Sequence, residues 1–223
     1  MRGFPARTAL ATAAWCAPAP APHVPLLAAA LAIARRTHGP GVWLTFDDGP
    51  HPQGTPAVLE ALAAAGAHAT FFLVGEQVAR RPALVQEIRA AGHHVGVHGH
   101  THRLHLRLGP RALTDDLDRA QEALGSEARW HRAPYGVYSL LSLNAVSRRG
   151  WSPVLWSQWG RDWRADASAD TITQGLGGTE AGDILLLHDS DAYSAHDSWR
   201  ATAAALPRVL ETLGERGLAT VLP

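Results

Sequence analysis

Short apolar runs alternate with amphipathic segments from residue 41 to the end of the chain. The runs have the length of buried strands, and the segments between them repeat apolar residues at the spacing of a helix with one buried face. We predict strands at 42–47, 69–73, 95–97, near 130–132, 154–156, 184–187 and 219–222. We predict helices at 55–65, 82–91, 110–124, 139–149 and 199–216. This alternation is typical of a βα repeat and indicates an α/β domain.

The composition excludes several classes of enzyme and partner. Lys and Arg together number 20, as do Asp and Glu, so no net charge attracts nucleic acid. All the basic residues are Arg, which excludes a Schiff base or a P-loop because both need a Lys amine. Cys16 is the single cysteine, which excludes an internal disulfide and a zinc–thiolate site. Any metal must therefore be bound by His and carboxylate.

Residues 1–40 differ from the rest of the chain because they are rich in Ala and Pro. Arg2 and Arg7 precede small and apolar residues, as in a secretion signal, but the second apolar run, 24–34, spans 11 residues. That is fewer than the roughly 20 needed to cross a bilayer. We predict a signal, an anchor or a helix packed on the domain, with membrane contact confined to this segment. The protein is extracytoplasmic or membrane-associated if residues 8–34 act as a signal or anchor, and cytoplasmic otherwise.

Two adjacent carboxylates, Asp47 and Asp48, end the first predicted strand and are followed by Gly49 and Pro50. A turn at this point can direct both toward one pocket, where one binds a metal and the other transfers a proton. Two acids this close repel each other, so a nearby cation is needed to keep both ionised. An ordinary acidic turn is the alternative.

A cluster of histidines follows the third predicted strand, with six of the 13 histidines between residues 93 and 105. His98 and His102 are four residues apart, a spacing that lets two imidazoles reach one ion. Together with one carboxylate they make a three-ligand set that leaves a position open for water. A His-rich surface loop is the alternative, and the four other histidines keep the choice of ligands open.

The apolar run at 184–187 leads into His188 and Asp189. A histidine in this position is either a core residue with a polar partner or a general acid, since imidazole titrates near neutral pH. Three predicted strands thus end in His or carboxylate clusters. Because the carboxyl ends of barrel strands form the active face, we expect the three clusters to meet in one site.

These residues resemble the motifs of the polysaccharide deacetylase family over residues 41–223. The first motif, Thr-Phe-Asp-Asp-Gly, is complete at 45–49 and is followed by an Ala-Thr-Phe-Phe strand and Gly75. The resemblance implies a catalytic domain at 41–223, folded as a single-domain distorted (β/α) barrel of about seven strands with the active site at their carboxyl ends. It also implies that Asp47 is the catalytic base and Asp48 a metal ligand.

The second and third motifs of the family are also present. His-(Ser/Thr)-x-x-His matches at His98 and His102, which the resemblance implies are the other metal ligands, although Gly99 replaces the hydroxyl residue. Arg-x-Pro-Tyr runs from Arg132 to Tyr135. The resemblance implies that Arg132 braces the base, which supplies the cation that the paired carboxylates need. It implies that the Tyr135 backbone N–H helps to bind the oxyanion.

The fourth motif usually reads Asp-x-x-Asp-Trp, and here Trp159 replaces the first Asp while Asp162 remains. The resemblance implies that Asp162 orients and charges the catalytic His. The fifth motif, Leu-x-His, fits Leu186 and His188, with Leu186 in the pocket for the acyl methyl group and His188 as the acid. The implied substrate-binding residues are Leu186, Tyr135 and Trp163.

The implied function is metal-dependent removal of an N-linked acetyl group from an aminosugar-containing glycan. A metal-activated water loses a proton to Asp47 and attacks the amide, the metal and the Tyr135 N–H stabilise the oxyanion, and His188 protonates the departing amine. The cofactor is one divalent cation, with zinc favoured and cobalt, nickel or manganese as alternatives. The expected partner is the N-acylated glycan substrate, and no nucleic acid.

Two other functions remain as alternatives. The same residues suit a deformylase or another hydrolase of linear C–N amides. A noncatalytic sugar-binding relative is the less favoured alternative, because it would be expected to lose Asp47 or His188 and both are retained. The tryptophans at 151, 156, 159 and 163 do not decide between these functions, since both sugar stacking and core packing explain them.

Overall fold

The structure, a computed structural model, describes residues 15–223 and is built around one seven-stranded parallel sheet. The strands are β1 (Trp43–Asp47), β2 (Thr70–Leu73), β3 (His94–Val97), β4 (Trp130–His131), β5 (Ser152–Pro153), β6 (Gln158–Trp159) and β7 (Ile184–His188). Their order in the sheet is β5-β4-β3-β2-β1-β7-β6. The sheet curls into a half-barrel, so the predicted α/β class is confirmed.

Helices connect the strands and pack against them. They are α1 (Pro25–Ala30), α2 (Gly54–Ala64), α3 (Gly75–Arg80), α4 (Pro82–Ala90), α5 (Pro110–Leu124), α6 (Leu140–Arg148), α7 (Ala169–Leu176) and α8 (Ser198–Glu215). The five helices predicted after residue 41 correspond to α2, α4, α5, α6 and α8. Short 3-10 helices lie at His105–Arg107 and Pro134–Gly136.

The central strands are buried along their whole length because both faces of a parallel sheet are covered. Every residue of β1 and β2 is buried. Phe46 and Phe71 stack at 5.2 Å between ring centroids, and the Trp43 indole N–H donates to Thr70 Oγ1 at 2.7 Å. These contacts hold the two strands that precede the predicted catalytic loops.

Two predicted strands are wrong in detail. Residues 154–156 lie between β5 and β6, and Val154 makes only an isolated bridge, with Ala34. Residues 219–222 likewise contribute a single bridge, between Thr220 and Val42. Hydrophobic runs report burial, whereas a strand also needs a neighbour that continues the hydrogen-bonded ladder, and these segments have such a neighbour at one residue only.

The register of the sheet brings the predicted site residues to one edge. Asp47 pairs with His188 on one side and with Phe72 on the other. Val97, the residue before the His98 loop, pairs with His131. Because parallel strands end on the same side, the loops after β1, β3, β4 and β7 all open onto one face.

The described part of the N-terminal segment packs against the half-barrel. Ala21, Ala28 and Ile33 are buried in the core. The chain that follows forms two isolated bridges, one from Ala34 to the residue after β5 and one to the residue before β7. No helix within residues 15–223 is long and apolar enough to cross a membrane. The predicted signal begins in residues that lie outside the described part of the chain, and the domain division at residue 40 and the localisation stay predictions.

Candidate active site

Asp48, His98 and His102 converge on one point, as predicted. His98 Nε2 lies 3.4 Å and His102 Nε2 lies 3.3 Å from Asp48 Oδ1. One ligand atom from each of the three lies within 4.8 Å of the others, and all three side chains are at most 5% exposed. The geometry therefore selects these two histidines from the cluster of six.

The backbone after β1 directs the paired carboxylates into the site. Asp48 adopts a left-handed φ of 78°, which turns the chain at the strand end so that Asp47 and Asp48 both reach the same cavity. Position 49 needs glycine because a Cβ there would lie 2.4 Å from Asp189 Oδ2. The Gly of the first motif is thus required by close approach of a buried carboxylate.

The His98–His102 loop is braced from α5 by Asp116, a residue that the sequence did not indicate. Asp116 accepts hydrogen bonds from the His100 N–H at 2.9 Å and the Thr101 N–H at 3.0 Å. Gly99 has a φ of 77°, and a Cβ there would lie 3.0 Å from Asp116 Oδ2. Glycine suits this left-handed position, so its replacement of the usual hydroxyl residue is compatible with a fixed loop.

These three side chains fit a divalent cation. Asp48 Oδ1 is buried without a hydrogen-bond partner among residues 15–223, an arrangement that costs free energy unless something binds it. His98 Nδ1 bonds to the Arg132 carbonyl oxygen at 2.8 Å, which leaves its Nε2 directed at Asp48. Two nitrogens and one carboxylate oxygen form a donor set typical of a catalytic zinc site.

The protonation states of these groups also favour a cation. Burial raises the pKa of Asp48, but the neighbouring His98, His188 and His102 imidazoles outweigh it and lower the pKa to about 2. Burial lowers the pKa of His102 to about 4. At neutral pH the carboxylate is therefore ionised and His102 is neutral, the forms that bind metals.

Asp47 is held by a fully buried arginine. Arg132 Nη1 donates to Asp47 Oδ1 at 2.6 Å and to Thr45 Oγ1 at 2.8 Å, and its Nη2 donates to the Leu155 carbonyl oxygen at 3.0 Å. Its guanidinium carbon lies 4.2 Å from the centre of the Phe72 ring. The sequence predicted the pairing of Arg132 with Asp47 but not the part played by Thr45.

His188 is positioned by Asp162. The His188 Nδ1 and Asp162 Oδ1 atoms are 2.9 Å apart, and the His188 backbone N–H donates to Asp162 Oδ2 at 2.6 Å. Thr202 Oγ1 on α8 donates to the same Oδ2 at 2.8 Å. Burial lowers the pKa of His188, but the charge and hydrogen bond of Asp162, together with Asp48 and Asp47, raise it to about 10. This imidazole is therefore protonated at neutral pH.

Tyr135 lies at the mouth of the site in a strained backbone conformation. Its φ is 61°, unusual for a residue with a side chain, and the residue is 59% exposed. Its ring contacts that of His102 edge-on, with centroids 4.6 Å apart. Strain of this kind is concentrated at functional sites.

A cavity of about 340 Å³ joins these groups. Leu186 and Trp163, the other predicted substrate-binding residues, border it together with Asp47, Asp48 and His188. Arg132 and Asp162 are fully buried behind this layer. A wider cavity of about 500 Å³ beside Arg164 contains none of the predicted catalytic residues, so we place the site in the smaller one.

Tyr193 also borders the cavity, and the sequence did not single it out. Its ring stacks on His102 with centroids 4.3 Å apart, and its hydroxyl donates to Glu76 Oε1 at 2.5 Å. The loop after β7 is thereby linked to α3 across the site. Nothing in the local sequence indicates this contact, because it joins segments more than a hundred residues apart.

Two histidines outside the site, His105 and His131, should make the fold sensitive to acid. Their rings stack at 5.5 Å, and burial lowers the pKa of His105 to about 4 and that of His131 well below its usual value. The unfolded chain takes up a proton at each near pH 6.5, whereas the folded protein does not. The free energy of unfolding should therefore fall as pH decreases from about 6.5 to 4, by about 1 kcal/mol per pH unit for each histidine.

Denaturant unfolding at pH 7.5 and pH 5 measures this slope. We expect His105→Leu to reduce the slope by about 1 kcal/mol per pH unit, and His38→Leu, at an exposed position, to leave it unchanged. An unchanged slope in His105→Leu would show that this histidine is not the source of the acid sensitivity.

Comparison with known proteins gives a consistent set of matches. Residues 34–154 match the family model described as polysaccharide deacetylase. The chain is 37% identical over 190 residues to a chitooligosaccharide deacetylase of Azorhizobium caulinodans, an alignment that covers 80% of this chain and 90% of the relative. It is 32% identical over 179 residues to a peptidoglycan-N-acetylglucosamine deacetylase of Bacillus cereus, covering 78% of this chain and 82% of the relative.

A solved structure extends the likeness to three dimensions. The family 4 carbohydrate esterase from Streptomyces lividans, in complex with acetate, matches with a TM-score of 0.74 and 32% sequence identity. The match covers 82% of this chain and 93% of that one. The predicted distorted (β/α) barrel is therefore confirmed.

Proposed function

The chain belongs to the polysaccharide deacetylase family, and from that premise we propose that it is a metal-dependent hydrolase that removes N-linked acetyl groups from an aminosugar-containing glycan. One observation supports this most directly. The Asp48–His98–His102 cluster, the arginine-braced Asp47 and the Asp162-bound His188 all face one cavity. A base, an acid and a metal site are the groups that hydrolysis of an unactivated amide needs.

The metal would be held by Asp48, His98 and His102. A divalent cation bound there supplies a Lewis acid that polarises the amide carbonyl and lowers the pKa of a water molecule. Zinc suits this donor set best, and cobalt, nickel or manganese can take the same ligands.

Asp47 is the general base in this proposal. Its Oδ1 is occupied by Arg132 at 2.6 Å, so the carboxylate is fixed with its Oδ2 toward the cavity side, 3.8 Å from His98 Nε2. A carboxylate in this position can accept a proton from the attacking water. As the amide carbon becomes tetrahedral, the Tyr135 backbone N–H donates to the oxygen that gains negative charge.

His188 is the general acid. Asp162 holds its Nδ1, which leaves Nε2 free to protonate the amine as the C–N bond breaks. The Asp162 carboxylate beside Nδ1 favours the protonated imidazole, which is the form that a general acid needs. Leu186 lies two residues before His188 in β7 and borders the cavity, where it offers an apolar contact for the acetyl methyl group.

The substrate class follows from the relatives, which are named for chitooligosaccharides and for the N-acetylglucosamine of peptidoglycan. We expect the purified protein, supplied with zinc or cobalt, to release acetate from chitooligosaccharides or from peptidoglycan fragments. Acetate is quantified enzymatically, and the product is checked by mass spectrometry for loss of acetyl groups. Release of formate or ammonia from linear amides, with no acetate from any glycan, would instead support the alternative of a linear-amide hydrolase.

A further inference from the structure

The N-terminal segment contributes to the wall of the catalytic cavity, although the family match begins only at residue 34. Pro22 and His23 border the cavity together with the predicted metal ligands. Pro22 is buried, whereas His23 is exposed. Part of the surface that meets the substrate therefore lies outside the family's motifs.

His23 faces Trp159, the residue that stands where the fourth family motif has Asp. The two rings meet edge-on with centroids 5.9 Å apart. Trp159 is half-buried and contacts Trp163 at 6.1 Å, and the Trp163 ring lies 5.5 Å from that of His188. A continuous row of aromatic rings thus runs from the catalytic acid to His23.

The segment that carries His23 is attached to the stretch of chain that carries Trp159. The Leu155 N–H donates to the Ala34 carbonyl oxygen at 2.7 Å, and Arg35 Nε donates to the Trp156 carbonyl oxygen at 3.0 Å. Ala21, two residues before His23, is fully buried. Because the backbone that carries each ring is anchored to the domain, binding a ligand across the two rings requires little reordering of the main chain.

We propose that His23 and Trp159 form a second sugar-binding position, which contacts the sugar joined to the one that carries the reacting acetamido group. This inference rests on the proposed function. The face of an indole packs on the C–H face of a sugar ring, and the imidazole nitrogens exchange hydrogen bonds with sugar hydroxyls. The position then favours oligosaccharides over single sugars, and the residues that create it are absent from the family's motifs.

Steady-state kinetics on two substrates of different length test this position. We expect His23→Ala to raise KM for the tetrasaccharide of N-acetylglucosamine by about 2- to 10-fold, and to change KM for N-acetylglucosamine itself much less. His23→Phe keeps an aromatic ring at this position, so its KM for the tetrasaccharide should lie between those of the wild type and His23→Ala. His38→Ala removes an exposed histidine that does not border the cavity and serves as the matched control.

An equal rise in KM for both substrates, or no rise for either, would contradict the second sugar position. If the wild-type protein releases no acetate from either substrate, the proposed function fails, and the position is then tested by binding alone. Titration with the tetrasaccharide, monitored by tryptophan fluorescence, should show weaker binding to His23→Ala than to the wild type. Equal binding, or none, would overturn the inference.

Discussion

Asp47→Asn is expected to lower the rate of acetate release by a factor of about 10² to 10⁴, the contribution typical of a general base. The amide of asparagine cannot accept the proton from the attacking water, although it can still accept a hydrogen bond from Arg132. Metal content should be unchanged, because the carboxylate that faces the two histidines belongs to Asp48. Acetate release and metal content are measured on the same sample.

The substitution also leaves the buried Arg132 charge without its carboxylate, which can cost about 3–5 kcal/mol of stability. Activity should therefore be assayed well below the unfolding temperature, with circular dichroism as a check on folding. Asp115→Asn, at an exposed position on α5, is the control for loss of one negative charge. A folded Asp47→Asn variant with full activity would rule out Asp47 as the base.

Asp48→Asn is expected to weaken metal binding by more than about 100-fold, since even loss of a residue that only supports a metal ligand costs about 10- to 100-fold. Acetate release should fall together with metal occupancy, measured by elemental analysis after dialysis against a chelator. High concentrations of added metal should restore part of the activity, because His98 and His102 remain.

The two neighbouring substitutions thus separate two roles. Asp47→Asn should be inactive with metal bound, and Asp48→Asn should be inactive because metal is lost. If both variants lost metal to the same extent, the division of roles between the two carboxylates would be wrong.

The sequence allowed the position of the site to be predicted because parallel strands end on one side. Once the apolar runs before Asp48, His98 and His188 are recognised as strands of one sheet, their carboxyl ends must meet. The family motifs then assigned individual residues within the clusters. The predicted metal ligands, Asp47 and His188 border one cavity, and their chemical roles stay predictions.

Residues that support the site from a distance could not be predicted. Asp116, Thr202 and Asp189 lie 16, 40 and 134 residues along the chain from the groups that they support, and they act through buried hydrogen bonds. Burial raises the pKa of Asp189 to about 7, and Thr55 Oγ1 donates to its Oδ2 at 2.5 Å. Local patterns carry no record of such contacts, because they depend on how whole elements pack.

The place of the N-terminal segment in the fold also could not be predicted from its sequence. Its apolar residues suit a signal, an anchor or a packed helix, since all three bury apolar surface in some environment. The packing of Ala28 and Ile33 in the core shows that the described part of the segment has a place on the barrel. Only the folded arrangement reveals that Pro22 and His23 reach the catalytic cavity.

Removing the metal from the wild-type protein and restoring it tests whether N-deacetylation depends on a metal. Protein freed of metal with a chelator, and shown to be metal-free by elemental analysis, is assayed for acetate release from a chitooligosaccharide before and after zinc, cobalt, nickel or manganese is added. We predict that activity disappears with the metal and returns on reloading with about one ion per chain. Undiminished acetate release by the metal-free protein would show that the reaction does not need a metal.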